Sequence, residues 1–377
     1  MRPFSKGHDD SAYGGQNFDA ENNKVPGDAA APKLQLNRKG VGRRGFYLST
    51  FFQQLASLGN NLAVSIVAGQ SIKALYKTYN PDGDAYKLPY AIITFGFFQF
   101  LMSQLPDLHS LRFLNCVSNI CTLTFSAIAV GMSIHTGHQQ DRSTINYELV
   151  GDIQERIFGV FLGLGAIAFA FGDTVLPEVQ ATVKEPAIKN MYKGITMAYT
   201  LISSTYFTVA ISGYWAFGQT SLPYLLNNLS TPSWPITIAN LAAIVQITGC
   251  YQIYCRPTYE FFEMKFCNTE QSRFSRRNLT VRLCITLVYN VFMTFLAALI
   301  PFFSDFVALI GAIGFIPMDF ILPIIMWLKV RRPHAWWSWL LNYSIVVFYV
   351  IVAICCSVAA IRQIHINVGN YGVFADL

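Results

Sequence analysis

Apolar runs separated by short polar loops occupy most of the chain after residue 45. Each run is close to the ~20 residues that a helix needs to cross the hydrocarbon core of a bilayer. The nine predicted spans cover residues 46–72, 88–105, 113–134, 157–176, 194–216, 236–255, 281–303, 306–328 and 338–361. The pattern therefore predicts an all-α membrane protein with about nine transmembrane helices.

Residues 1–45 differ from the rest of the chain because they are polar and rich in Gly, Asp and Asn. They contain no apolar run that could act as a signal peptide or a span, so a disordered cytoplasmic tail is predicted. The tail ends in basic residues, which are typical of a topology signal, with contact to anionic lipid as the alternative. Residues 46–377 form the predicted transmembrane domain.

Composition supports a polytopic membrane protein. Charged residues make up 13% of the chain, about half of their usual share in soluble domains. No nucleic-acid partner is predicted from the net charge of +6, since the basic residues flank apolar spans. The eight cysteines form no C-x-x-C pair, and no histidine cluster has ligand spacing, so neither a metal site nor a disulfide framework is indicated.

The positions of Lys and Arg predict the orientation. If the N-terminus is cytoplasmic, 20 Lys and Arg residues lie on the cytoplasmic side and six on the outer side, with Arg282 at a span edge left out. The positive-inside rule favours this arrangement. The glycosylation sequon at Asn228 then lies outside, where it is predicted to be modified, and the sequon at Asn278 lies inside, where it is not.

The predicted span 157–176 is unusual because Gly172, Asp173 and Thr174 interrupt its apolar pattern. A helix broken at membrane depth must be buried in protein or line a wet cavity, because lipid offers no hydrogen-bond partner. Intramembrane acids are costly and are therefore functional candidates. The alternative is that Asp173 only caps the next segment at the membrane surface.

Two other spans carry polar stripes at helical spacing. In the first span the stripe contains Gln53, Ser57, Asn60 and Asn61, and a similar stripe in the third span begins at Asn115. Interhelical hydrogen bonding explains the third span adequately, whereas the amide-rich stripe of the first span favours a wet pathway.

Glycine and proline mark two further features of the spans. Gly159 and Gly163 form a G-x-x-x-G pattern and Gly165 follows, and close helix packing explains these glycines. The eighth span contains glycines and prolines around Asp319, which predicts a second irregular helix. Asp319 is a weaker candidate than Asp173, because it is expected closer to the cytoplasmic surface.

Five separated segments resemble one family. They are FGDTVLPEVQATVKEPAIKNMYKG with AISGYWAFG after it, GQSIKALY, LHSLRFLN and GFIPMDFILP. These segments resemble the amino acid/auxin permease family, in particular its plant proton-coupled amino acid permeases and γ-aminobutyrate-type carriers. The resemblance covers roughly residues 45–360.

The resemblance implies a five-plus-five inverted-repeat fold of eleven helices and symport of an amino acid or γ-aminobutyrate-like compound with a proton as coupling ion. It implies no other cofactor and no metal. The broken span matches the family's sixth helix, in which unwound backbone binds substrate. By that match the substrate-binding candidates are Ala168, Phe169, Ala170, Phe171, Gly172 and Asp173, to which the stripe adds Asn60 and Asn61. The proton-coupling candidates are Asp173 and Glu178. The plasma membrane is the expected location, with an endomembrane as the alternative.

The chain departs from the family pattern because it begins at what resembles the third helix. The first two helices are absent from it, and half of the expected site with them. One interpretation is an amino acid carrier that needs the missing part, which a second copy in an oligomer could supply. A non-transporting membrane subunit or regulator is the alternative, and a truncated paralogue or an incomplete gene model would account for it. A polytopic enzyme is a third class, but no P-loop, G-x-S-x-G or dinucleotide motif supports it.

Overall fold

A computed structural model describes residues 30–80, 86–104, 108–148, 151–180, 183–184, 186–229, 231–268, 275–299, 303–331 and 335–371. Within these ranges the chain is helical and contains no strand. The helices are α1 (Ala30–Tyr79), α2 (Leu88–Met102), α3 (Leu108–Gln139), α4 (Ile153–Ala170), α5 (Leu176–Gln180), α6 (Ala187–Phe217), α7 (Ser233–Tyr254), α8 (Arg256–Phe266), α9 (Arg276–Leu299), α10 (Phe303–Ile310), the π-helix Gly311–Ile321, α11 (Leu322–Arg331) and α12 (Trp336–Tyr371).

Each of the nine predicted spans overlaps a helix or consecutive helices. In the described part of the chain, seven helical segments are long and apolar enough to cross a membrane. The predicted spans 46–72 and 88–105 are not among these seven. The polar stripe lowers the hydropathy of α1, and α2 has only 15 residues. The bundle presents many large apolar side chains outward, as a lipid-facing surface does.

Helix α1 begins at Ala30, earlier than the predicted span. Disorder of the tail and its cytoplasmic side stay predictions for residues 1–29, which lie outside the described residues. Local signals account for other helix ends. The carboxylate of Asp152 accepts a hydrogen bond from the backbone N–H of Ile153 at the start of α4. Helix α6 stops at Gly218, whose φ of +55° favours glycine.

Helix α1 lies at the centre and joins two groups of helices. On one side it packs against α2, α7, α8 and α9, which form the scaffold group together with α1 itself. On the other side it packs against α10, the π-helix and α11. Helix α4 packs against α10, the π-helix and α12, and these four elements form the interrupted group. Helix α3 contacts α7 and α6 at the flank of the scaffold group.

The scaffold group contains a buried polar network that connects α1, α2, α7, α8 and α9. The hydroxyl of Tyr251 donates to Asn290 Oδ1 at 2.9 Å, and Asn290 Nδ2 donates to the Tyr259 hydroxyl at 3.0 Å. Asn61 Nδ2 donates to the Tyr289 hydroxyl at 2.7 Å. Gln252 of α7 also bonds Gln99 of α2. Together these residues form the polar network, which comprises Asn61, Gln99, Tyr251, Gln252, Tyr259, Tyr289 and Asn290. Each bond satisfies a buried polar group, so the network fixes these helices relative to one another.

Candidate functional site

The predicted interruption is present and shorter than the resemblance implied. Helix α4 ends at Ala170, and residues 171–175 are not helical before α5 begins. The candidates Ala168, Phe169 and Ala170 form the last turn of α4, so their N–H groups belong to the helix and only their carbonyls lie at its open end. In that turn the N–H of Phe171 donates to the Ile167 carbonyl at 3.1 Å, and that of Gly172 donates to the Phe169 carbonyl at 3.2 Å. Their role in substrate binding stays a prediction.

Three other elements hydrogen-bond to the backbone of the interrupted segment, residues 171–175. Gln53 Nε2 of α1 donates to the Thr174 carbonyl at 3.1 Å. The Tyr199 hydroxyl of α6 donates to the Phe171 carbonyl at 3.2 Å. The N–H of Asp173 donates to Asp319 Oδ2 of the π-helix at 3.0 Å. The chain itself thus satisfies these groups, as helix interruption inside a bilayer requires.

The carboxylate of Asp173 makes the contact that a cap makes. Its Oδ1 accepts the backbone N–H of Val175 at 2.9 Å. The side chain is half-buried. The carboxylate of Asp319 also lies at the segment, through its bond to the Asp173 N–H. The alternative in which Asp173 only caps the next segment therefore explains the contact with Val175. It does not explain the contact with Asp319, a second acid at the same segment.

Asp319, the weaker of the two acidic candidates in the sequence, is the acceptor of the Asp173 N–H. It lies in the 11-residue π-helix, a rare conformation that is often found at functional sites. Pro317 lies inside this helix and cannot donate a backbone hydrogen bond. The sequence signal was the run of glycine and proline around Asp319, but nothing local to either residue indicated contact across 146 positions.

Close approach of a neighbouring element confirms the packing predicted at Gly165 and also explains Gly311 and Gly172. A Cβ at Gly165 would lie 2.6 Å from the Ala308 carbonyl oxygen, and one at Gly311 would lie 1.9 Å from the Gly165 carbonyl oxygen. A Cβ at Gly172 would meet the Phe315 ring at 2.0 Å. Around Gly159 and Gly163 nothing lies within 4 Å of a built Cβ, so the prediction of close packing at those two glycines is wrong.

The polar stripe of α1 is used mainly between helices. Gln53 bonds the interrupted segment, Ser57 donates to the Tyr254 carbonyl, and Asn61 bonds Tyr289. Interhelical bonding therefore describes most of this stripe better than the wet pathway favoured from sequence. Three buried atoms on these elements have no partner among the described residues: Asn60 Nδ2, Asn61 Oδ1 and Thr174 Oγ1.

The stripe of α3 shows the opposite behaviour. Asn115 Oδ1 and Ser118 Oγ are buried and have no hydrogen-bond partner in the described part of the chain. Ser118 lies against Gly249 of α7, where a Cβ would be 2.2 Å from its Oγ. Close approach of α3 and α7 therefore accounts for Ser118 better than the interhelical hydrogen bond predicted for this span.

The remaining candidates lie away from the interruption. The side chain of Glu178 is outside the described residues, so its proton role stays a prediction. Asn228 lies in the loop before α7, where its Oδ1 accepts the Leu222 N–H at 2.7 Å and its Nδ2 donates to the Thr220 carbonyl at 3.0 Å. Modification of Asn228 stays a prediction, and the structure adds that its amide holds the loop together.

Asn278, in the first turn of α9, makes a similar contact with the segment that follows α8. Its Oδ1 accepts the Asn268 N–H and its Nδ2 donates to the Asn268 carbonyl, both at 3.0 Å. Its exposed fraction is 4%. The two amide atoms thus close the connection between α8 and α9.

The amino-acid sequence matches the model of a protein family over residues 23–362, and the family is described as "Transmembrane amino acid transporter protein". The chain belongs to the transmembrane amino acid transporter family. It is 34% identical to GABA transporter 1 of Arabidopsis thaliana over 88% of this chain and 76% of that protein. It is 31% identical to Lysine histidine transporter-like 1 of the same plant, over 93% of this chain and 78% of that protein.

Family membership confirms the resemblance stated from the sequence and makes the chain an integral, multi-pass amino acid transporter. The family is one of transporters rather than enzymes. An amino acid substrate and a bilayer environment follow for the same reason.

Proposed function

We propose that the chain moves a small amino acid or a γ-aminobutyrate-like compound across the plasma membrane together with a proton. The interrupted segment would bind the substrate, and Asp173 would carry the proton. The names of the relatives, which specify GABA, lysine and histidine, support this substrate class.

The observation that carries the proposal is the interruption itself. Three backbone groups of residues 171–175 bond to single side chains of three different elements. A substrate's ammonium or carboxylate could replace such bonds one at a time, because each is a separate contact. Discontinuous helices provide substrate sites in transporters for this reason.

Unpartnered buried atoms support a polar ligand in the same region. Thr174 Oγ1 belongs to the interrupted segment, and Asn60 Nδ2 lies on the face of α1 that carries Gln53. Seven residues of helix separate Asn60 from Gln53, which is about 10 Å along the helix axis. Buried polar atoms normally have partners, so an unpartnered pair near an interrupted helix favours ligand binding.

Asp173 is the proposed proton carrier because it is an acid within the interruption. Its backbone N–H is held by Asp319, and one carboxylate oxygen holds Val175. Gaining or losing a proton at this carboxylate would change the charge beside Asp319 and so bias the local structure. Glu178 is proposed to have a smaller effect from the cytoplasmic mouth.

The test replaces the charge of Asp173 and keeps the cap. In Asp173→Asn the amide oxygen still accepts the Val175 N–H, and the backbone N–H still donates to Asp319. We expect uptake of radiolabelled γ-aminobutyrate driven by an inward proton gradient to fall at least tenfold, with normal surface expression. Asp141→Asn, at an exposed loop acid, is the control. If uptake by Asp173→Asn equals that of the parent, Asp173 does not carry the proton and only caps the segment.

The proposed orientation has a cytoplasmic N-terminus and an outer C-terminus. The excess of Lys and Arg on the predicted inner side supports it. Epitope tags at both ends, probed on cells before and after permeabilisation, test it directly. We expect the C-terminal tag to be accessible on intact cells and the N-terminal tag only after permeabilisation, and the reverse pattern would refute the orientation.

A further inference from the structure

A cavity of about 240 Å³ lies between the beginning of α4 and the end of α12, well away from the interrupted segment. Helix α4 supplies four of its lining residues and α12 supplies the others. Those that matter for binding are Glu155, Phe158, Gly159, Leu162, Arg362 and Gln363. The proposed orientation puts this end of both helices on the outer side of the membrane. The family relationship assigns no role to this cavity.

The cavity holds two opposite charges that do not pair with each other. Glu155 and Arg362 both line it, and no ion pair within 4.0 Å joins them. The Arg362 guanidinium lies 4.6 Å from the centre of the Phe158 ring, a cation–π contact that positions its charge. A carboxylate and a guanidinium that face one cavity without neutralising each other provide separate sites for a cation and an anion.

Each charge also has a simpler explanation that leaves the cavity unexplained. Glu155 lies in the first turn of α4, where an acid stabilises the helix dipole. Arg362 packs on an aromatic ring. Neither role requires the space between them, which Gly159 keeps open, since nothing lies within 4 Å of a built Cβ there.

A third polar group extends from the cavity into the protein. Gln363 Nε2 donates to Asn367 Oδ1 at 3.5 Å, and Asn367 Nδ2 donates to Asp305, whose exposed fraction is 4%. This chain uses the Gln363 amide nitrogen for an internal bond. Its carbonyl oxygen accepts no hydrogen bond from the described residues and is the atom available to a ligand.

We propose that this cavity binds a small zwitterion, with its ammonium group at Glu155 and Gln363 Oε1 and its acidic group at Arg362. Phe158 and Leu162 provide the apolar wall for the carbon chain between the two charges. Two sources supply this chemistry: a free amino acid, including γ-aminobutyrate, and the headgroup of phosphatidylethanolamine. The site does not depend on the proposed transport mechanism, because none of its residues lies in the interrupted segment.

The decisive variant fills the cavity without disturbing the fold. Gly159→Leu places a side chain in the open space, and Gly163→Leu is the matched control one turn further along α4. Gly163 also has nothing within 4 Å of a built Cβ, and it does not line the cavity. Glu155→Gln and Arg362→Gln test the charges separately.

One arm uses the full chain in nanodiscs of pure phosphatidylcholine and measures radiolabelled γ-aminobutyrate bound per chain at saturation. The other arm uses nanodiscs containing phosphatidylethanolamine and counts lipids retained on the chain by native mass spectrometry. A free amino acid as ligand predicts that Gly159→Leu binds one equivalent less γ-aminobutyrate than Gly163→Leu. A lipid ligand predicts one phosphatidylethanolamine fewer on Gly159→Leu.

In the arm that responds, Glu155→Gln and Arg362→Gln should each weaken binding at least tenfold. Equal binding of both probes by Gly159→Leu and Gly163→Leu would overturn the proposal. So would a loss on Gly159→Leu that neither charge variant reproduces, because the charges would then not recognise the ligand. If the interrupted segment binds no substrate but the cavity binds its ligand, the parent retains one equivalent of ligand and Gly159→Leu retains none. This outcome separates the cavity proposal from the proposed transport function.

Discussion

The polar network of the scaffold group and the interrupted segment are both hydrogen-bonded inside the bundle, but they use different chemical groups. In the polar network most bonds join one side chain to another, as from Tyr251 through Asn290 to Tyr259. In the interrupted segment each of three interhelical bonds joins one side chain to one backbone group. A bond of the polar network requires a particular side chain at both ends. A bond to the interrupted segment requires a particular side chain at one end only, because almost every residue offers the backbone group at the other end.

This difference indicates which region can change shape. Breaking the polar network leaves several buried hydroxyl and amide groups without partners, and each costs roughly 1–3 kcal/mol. A backbone group of the interrupted segment can exchange one acceptor or donor for another of the same kind at a smaller cost. We therefore regard the scaffold group as the fixed frame and the interrupted segment as the part that rearranges around substrate.

The largest expected effect is at the contact between α4 and α10, where two helices of the interrupted group approach backbone to backbone. Gly165→Ala places a methyl group 2.6 Å from the Ala308 carbonyl oxygen, and a backbone atom cannot yield as a side chain can. We expect a loss of stability of about 3 kcal/mol, the upper end of what overpacking usually costs. Thermal unfolding in nanodiscs measures it.

Gly163→Ala is the control for that substitution, two residues away on the same helix and facing open space. It should be neutral or slightly stabilising, since alanine favours helix over glycine by up to about 1 kcal/mol. Equal unfolding temperatures for the two variants would mean that α4 can move away from α10 freely.

An intermediate effect is expected in the polar network. Asn290→Leu keeps the size of the side chain and removes the acceptor for Tyr251 and the donor to Tyr259. We expect a loss of roughly 2 kcal/mol from the unsatisfied hydroxyls, with uptake per folded molecule unchanged. Asn342→Leu is the control, because among the described residues Asn342 bonds the Ser338 carbonyl of its own helix and no other group. A variant of full stability that cannot transport would contradict the fixed-frame interpretation.

The smallest effect is expected at Asp319. Two substitutions there distinguish the role of its oxygen as a hydrogen-bond acceptor from the role of its negative charge. Asp319→Asn keeps an oxygen for the Asp173 N–H, whereas Asp319→Leu removes it. We expect the asparagine variant to be close to the parent in stability and the leucine variant to lose about 1 kcal/mol. Uptake should follow the same order. Similar behaviour of the two variants would show that this bond does not hold the interrupted segment.

Hydropathy along the chain located most of the long helices, because a transmembrane span is a local property of ~20 residues. The irregular patterns around Asp173 and Asp319 also marked the two interrupted elements in advance. Their contact was not predictable, since 146 residues separate them and no local pattern encodes which helices are neighbours.

The same limit explains the errors about small and polar residues. A glycine pattern indicates close packing only where another helix approaches within contact distance, which holds at Gly165 and not at Gly159 or Gly163. A stripe of amides indicates polar surroundings without saying whether water or a tyrosine supplies them. For Asn61 the partner is Tyr289, on a helix more than 200 positions later.

The loop contact of Asn278 affects how glycan mapping on this protein should be interpreted. A sequon that carries no sugar is commonly taken as evidence that it faces the cytoplasm. Residue Asn278 is 4% exposed and its amide bonds both backbone groups of Asn268, so the folded protein shields it on whichever side of the membrane it lies. A missing glycan at Asn278 is therefore not sufficient evidence for the cytoplasmic side, and the sidedness of the membrane must come from tags at the chain ends.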